Sequence, residues 1–221
     1  MSSVKSFVVV GLGNFGASAA LELTALGCEV LAVDAEEAKV ERVAPFIRRV
    51  VCGDGTDRTV LEELGVGQVS AGIVSTGGDV TASALTATVL RDCGVALIYV
   101  KVISELHARI VRRIGVTETI FPERESARLL VRRAVDRTVL NYVDLGAGLS
   151  AQEMAVPDSW VGKTLRELEL PRHFGVTVVA LRDWLNGTTV TAPDPDKPLT
   201  DANALLLAGN ERDLSRIAAS K

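Results

Sequence analysis

Three glycines, Gly11, Gly13 and Gly16, stand in G-x-G-x-x-G spacing with Asn14 and Phe15 before the last, and a carboxylate, Asp34, follows about 20 residues on. These residue types suit holding a phosphorylated ligand. The first glycine permits a tight turn, the second lets backbone approach a phosphate, and the third lets a helix pack against a strand. A helix starting on the loop offers free N–H groups and the positive end of its dipole. Asp34 stands where an acceptor for ribose hydroxyls is expected, and its charge repels a 2′-phosphate, which disfavours NADP.

The flanking segments supply the scaffold such a loop needs. Phe7-Val8-Val9-Val10 reads as a strand entering the loop, and Ala17-Ser18-Ala19-Ala20-Leu21 leaves it as a helix. A second strand over 29–33 delivers Asp34. Val50-Val51-Cys52 forms a third strand with Gly53-Asp54-Gly55-Thr56-Asp57 at its exit, then a helix over 60–64 stops at Gly65. A fourth strand over 71–75 exits through Thr76-Gly77-Gly78-Asp79, where Asp79 caps a helix over 83–92 that ends at Gly94. A fifth strand over 97–102, a Ser104-capped helix to Gly115, and a sixth strand over 118–121 complete the series before Pro122-Glu123. This alternation gives an α/β fold, a Rossmann-like doubly wound parallel sheet with helices on both faces and its ligand edge at the strand ends.

Composition narrows the remaining classes. The chain has 221 residues, 48% hydrophobic and 24% charged, which suits one large or two small globular domains. A net charge of −4 and a pI of about 5.3 provide no global field for nucleic acid or anionic lipid. No apolar run reaches the roughly 18 residues of a membrane span. The first apolar run flows into the glycine loop and reads as a strand, not a signal peptide. Cys28, Cys52 and Cys93 are widely spaced in apolar surroundings, so buried thiols in a reducing cytoplasm are expected.

Beyond Pro122 the pattern changes. A long helix is predicted over 123–139, with Leu129, Leu130, Ala134 and Val135 on one side and Arg124, Arg128, Arg132, Arg133 and Arg137 crowding another. That basic side reads either as a solvated face or as a dock for an acidic surface. Gly146-Ala147-Gly148 and Val156-Pro157-Asp158 look like linker and turn chemistry, strands are expected over 150–156, 176–181 and 205–209, and a turn into a short helix over 161–168. A Pro-rich loop fills 192–198. The whole reads as an α+β module of about 70 residues, too small to bury a secure core alone, so association is expected.

The glycine loop, Asp34, Asp54 and Pro122-Glu123 occur in order with Val139-Leu140-Asn141-Tyr142-Val143-Asp144-Leu145, Leu165-x-x-Leu168-x-Leu170 and Gly175-Val176-Thr177-Val178. Together they resemble the regulator-of-potassium-conductance (RCK) family, in particular the cytosolic gating subunits of Ktr/Trk-type bacterial potassium transporters. The resemblance extends over 4–219 and implies three parts: a nucleotide-binding Rossmann domain over 1–122, a crossover helix and linker over 123–143, and a C-terminal dimerising TrkA-C domain over 144–221. A single glycine motif is present, as in the one-repeat Ktr-like subunit. The resemblance implies homodimers assembled into an octameric ring, peripheral on the inner face of the cell membrane beneath an integral-membrane potassium channel subunit.

Carried over by position, the resemblance gives Gly11, Gly13, Asn14, Phe15, Gly16 and Asp34 to phosphates and ribose, and Asp54 with Gly55 to the adenine side. Thr76 and Lys101, at strand ends, approach ribose or phosphate; Lys101 reads equally well as an ordinary strand-end charge. Glu123 matches a glutamate that holds Mg2+ or another cation against the phosphates, and reads equally as a first-turn glutamate favoured by the helix dipole. The implied ligand is an adenine nucleotide, ATP, ADP or NAD(H). Asn14 stands where Ktr subunits usually have arginine, which leaves the choice among them open. Pro171 stands where the C-terminal module's arginine is expected, with Arg172 one place on, so cyclic di-AMP binding is also left open.

The rival reading is an NAD-dependent Rossmann oxidoreductase. It needs a proton donor at the nicotinamide, and His107 and His173 both read as surface or capping residues. No helix-turn-helix or basic patch suggests a transcription regulator. The expectation is therefore a sensor whose ligand is an effector.

Overall fold

Val8, Val9 and Val10 are all buried in β1 (Ser6–Val10), and residues 30–34 are all buried in β2 (Glu29–Asp34). Strands covered on both faces belong inside a parallel sheet. The chain is seen in a computed structural model that describes residues 5–135 and 139–219, and it divides after Glu123 into two units.

In the first unit, β1 is followed by α1 (Asn14–Ala25), β2, α2 (Glu37–Val43), β3 (Arg49–Cys52), α3 (Arg58–Leu64), β4 (Ala71–Val74), α4 (Val80–Asp92), β5 (Leu97–Lys101), α5 (Glu105–Ile114) and β6 (Glu118–Ile120). The strands pair in parallel in the order β3-β2-β1-β4-β5-β6. Alternation along β1 sends Val8 and Val10 into one core with Leu61, Leu90 and Val111, and Val9 into the other with Ala17 and Val43. Each buried valine or leucine contributes roughly 1.5–3 kcal/mol. The doubly wound fold is as expected. α2 is an addition to the sequence reading: its seven residues carry a mixed pattern with no side-chain cap.

α6 (Pro122–Val135) leads into the second unit: β7 (Val139–Gly146), β8 (Leu149–Ala155), α7 (Leu165–Leu168), α8 (Leu170–Phe174), β9 (Thr177–Asp183), β10 (Thr188–Val190), β11 (Asn203–Asn210) and α9 (Glu211–Ala219). Its antiparallel sheet runs β10-β9-β11-β8-β7. Met154, Leu170, Leu199, Leu205, Leu207 and Ile217 form its core. A reciprocal Thr164–Glu167 box caps α7.

The helix expected over 123–139 is described only to Val135, and Val139, with the supposed linker after it, opens β7. Val139, Tyr142 and Val143 favour extended backbone, and β7 gains a partner in β8 that local pattern cannot foresee. Gly146-Ala147-Gly148 is the turn between these strands, with Ala147 at φ 52°. Of the basic side expected on α6, the side chains of Arg132 and Arg133, and Arg137 altogether, lie outside the described residues. On the apolar side Leu129 is half-buried but Leu130 is 68% exposed.

Candidate functional site

β1 and β4 are neighbours, and the chain winds away from them in opposite directions across the sheet. Such a switch point opens a crevice outside the carboxyl ends of the two strands. The loop after β1 is fitted into it. Gly11 has φ +91°, and a Cβ there would lie 2.2 Å from the Ser75 carbonyl oxygen; a Cβ on Gly16 would lie 1.8 Å from the Gly11 oxygen. These two glycines let the loop, the β4 exit and α1 come together. At Gly13 an added Cβ would meet nothing within 4 Å, so this position faces open space.

α1 begins at Asn14 with no side-chain cap and no acidic residue in its first turn. By contrast, Asp57, Asp79 and Ser104 cap α3, α4 and α5 through the N–H groups of Thr59, Ala82 and His107. The first N–H groups of α1 thus have no side-chain acceptor among the described residues. Asn14 is exposed and Phe15 half-buried at this terminus.

Asp34 is 9% exposed. Its Oδ2 accepts from the Leu12 N–H at 2.6 Å and its Oδ1 from the Glu36 N–H at 2.9 Å, while Lys39 Nζ stands 3.9 Å away. A carboxylate has about four lone-pair sites, so capacity for a hydroxyl remains. Asp34 therefore ties β2 to the glycine loop, a role that residue spacing does not disclose. Arg42 of α2 also reaches this loop and donates to the Leu12 carbonyl at 2.7 Å; the sequence does not point to it, because α2 is short and has no side-chain cap.

The other candidates gather along the same edge. Gly55 follows β3, and a Cβ on it would lie 2.2 Å from Val10 Cγ1, so that exit loop lies tight against the end of β1. Asp54 is exposed, and its Oδ1 accepts from both the N–H and the hydroxyl of Thr56 at 2.8 Å. Those bonds hold its carboxyl below the usual range. Thr76 stands beside Gly11, and its hydroxyl donates to the Asp79 carbonyl at 3.4 Å. Lys101 ends β5, next to β4. Its Nζ lies 2.5 Å from Glu123 Oε1, and the hydrogen bond from Lys101 pulls the Glu123 carboxyl below its ordinary range. No cluster of three or more His, Cys, Asp or Glu side chains suited to a metal occurs among the described residues. As it stands, Glu123 meets an ammonium group.

Two expectations need correction. His107 is fully buried, and its Nδ1 accepts from the Ile103 N–H at 3.5 Å. It shares the inward stripe of α5 with Ala108 and Val111, and burial pushes its pKa down. His173, in α8, is exposed as expected and lies 3.4 Å from Glu169. Cys52 is exposed at the end of edge strand β3, and Cys28 and Cys93 are half-buried; an edge strand lacks the cover that a central one has.

Comparison with known proteins covers both units. Residues 7–122 match the TrkA-N domain and residues 152–220 the TrkA-C domain. The chain is 32% identical over 212 residues to the Ktr system potassium uptake protein C of Bacillus subtilis (strain 168), covering 96% of this chain and 95% of that one. It is 31% identical, with the same coverage, to the Ktr system potassium uptake protein A of that organism. Among solved structures, the GsuK channel bound to NAD is similar with a TM-score of 0.53 at 19% identity, over 99% of this chain and 39% of that one. At that identity the likeness speaks for the fold.

Proposed function

This chain belongs to the family that joins a TrkA-N to a TrkA-C domain, the family of the Ktr potassium uptake proteins, and on that premise we propose that it is a nucleotide-sensing regulatory subunit. An adenine nucleotide, ATP, ADP or NAD(H), binds at the carboxyl edge of the parallel sheet. Binding biases the shape of an assembly of these subunits and so gates an integral-membrane potassium channel subunit. The observation that carries the reading is the glycine loop at the β1/β4 switch point, where Gly13 faces open space and α1 has no side-chain cap.

In this reading the α1 N-terminus meets phosphate, Asp34 accepts from ribose, and the exit loops carrying Asp54-Gly55 and Thr76 flank the base and sugar. Lys101 offers a positive charge to the phosphates, and Glu123 would hold Mg2+ against them. A bound cation there would screen carboxylate from phosphate. The subunits form dimers and then an octameric ring, peripheral on the inner membrane face. No helix among the described residues is long and apolar enough to cross a membrane, and in this reading the partner subunit supplies the pore. A nucleotide moves such an equilibrium only by binding one state better, with a typical coupling of about 1–3 kcal/mol.

Calorimetric titration of the full chain with ATP, ADP and NAD(H), paired with native mass measurement of the subunit number, tests the reading. Saturable binding by an oligomer supports it, and a monomer indifferent to all of these ligands overturns it. Turnover of NADH with a panel of carbonyl compounds would instead favour the oxidoreductase.

A further inference from the structure

We infer that Arg42 is a positioning residue for the phosphate loop: by gripping the Leu12 carbonyl it aims the Gly13 N–H at the ligand. The inference rests on the nucleotide-site reading above. A trans peptide is planar, and its C=O and N–H point to opposite sides. Arg42 Nη2 donates to the Leu12 oxygen at 2.7 Å. The N–H of that same peptide group belongs to Gly13 and is therefore turned away from the guanidinium. Among the described residues no acceptor takes it.

The preceding peptide is fixed from its other end. The Leu12 N–H donates to Asp34 Oδ2 at 2.6 Å, which turns the Gly11 carbonyl the other way, toward Gly16. The Leu12 side chain is fully buried, so the residue cannot swing out as a whole. Gly13 itself brings no steric restraint, with φ at −61° and open space where a Cβ would stand. A flip of the 12–13 peptide would present a carbonyl oxygen to the anion in place of a donor. The bond from Arg42 opposes that flip, and a charge-assisted bond is roughly twice as strong as a neutral one.

Titration of the full chain with ADP and with adenosine, for wild type, Arg42→Met and Arg42→Lys, separates aiming from mere packing. A tie that only held α2 in place would weaken both ligands alike. For Arg42→Met, ADP affinity is expected to fall about tenfold and adenosine affinity to change less than about twofold, the weight of one charge-assisted bond at the phosphates. Arg42→Lys is expected to return part of the loss, since an ammonium also donates to a carbonyl. If Arg42→Met does not fold, Arg42→Lys and Arg42→Gln carry the same ADP-to-adenosine comparison. Equal losses for the two ligands, or ADP affinity unchanged, overturn the inference alone. Wild-type protein that binds neither ligand overturns the nucleotide reading and this inference with it.

Discussion

Lys101 and Glu123 face each other at 2.5 Å, the ammonium 15% exposed and the carboxylate 68% exposed, so the end of β5 and the first turn of α6 are linked through one ion pair. In the proposed function both partners have a second use, Lys101 for phosphate and Glu123 for a cation. Glu123→Gln is therefore expected to erase most of any Mg2+ enhancement of ATP affinity, and calorimetry with and without Mg2+ reads it. An enhancement that persists in the variant would remove Glu123 from the cation site.

The same pair has a pH signature. The Glu123 carboxyl is depressed by the Lys101 hydrogen bond, so its contribution is present above the unfolded value of about 4.3 and is lost as pH falls toward the depressed folded value. Melting temperatures of wild type and Glu123→Gln should converge as pH is lowered below that point. A constant difference would mean the pair contributes nothing through ionisation.

His107 gives an acid sensitivity at higher pH. It is buried with its pKa lowered by burial, so the unfolded chain takes up the proton first. Stability should decline as pH drops below about 6.5, the ordinary histidine value, and stay level above it. Replacing His107 with Leu should flatten that decline in a melting series between pH 7.5 and pH 5.5.

Gly13 and Gly16 should separate binding from folding. A Cβ at Gly16 would collide with the Gly11 oxygen at 1.8 Å, so Gly16→Ala should destabilise by about 1–3 kcal/mol or more. Gly13→Ala meets no atom within 4 Å, so its melting temperature should hold, within about 0.5 kcal/mol of stability, while ADP binding weakens. Equal melting temperatures for the two variants would contradict the loop geometry.

Asp34→Ala and Asp34→Asn should differ in a related way. Alanine leaves the buried Leu12 N–H without an acceptor, at a cost of about 1–3 kcal/mol, whereas asparagine can keep one of the two backbone bonds. Chemical denaturation should rank wild type above the asparagine variant and that above the alanine variant.

The site divides into what sequence order exposes and what only folding assembles. Val8 to Gly16 and Asp34 are readable because strand, turn and helix signals are local and lie at a fixed separation. Arg42 and Lys39 are not, since α2 is a seven-residue helix without a side-chain cap and their partners lie across the fold. β7 hides for a similar reason: its segment follows a helical pattern, and its strand character depends on β8. His107 misleads because a polar residue on an inward stripe looks like an exposed one.

The bare start of α1 means that a solute can complete what the chain leaves unfinished. If nucleotide serves as that helix's missing cap, occupancy and folding are thermodynamically linked, by about 2.7 kcal/mol at a hundredfold excess over the dissociation constant. The resistance of the protein to heat or proteolysis would then rise and fall with the nucleotide concentration around it.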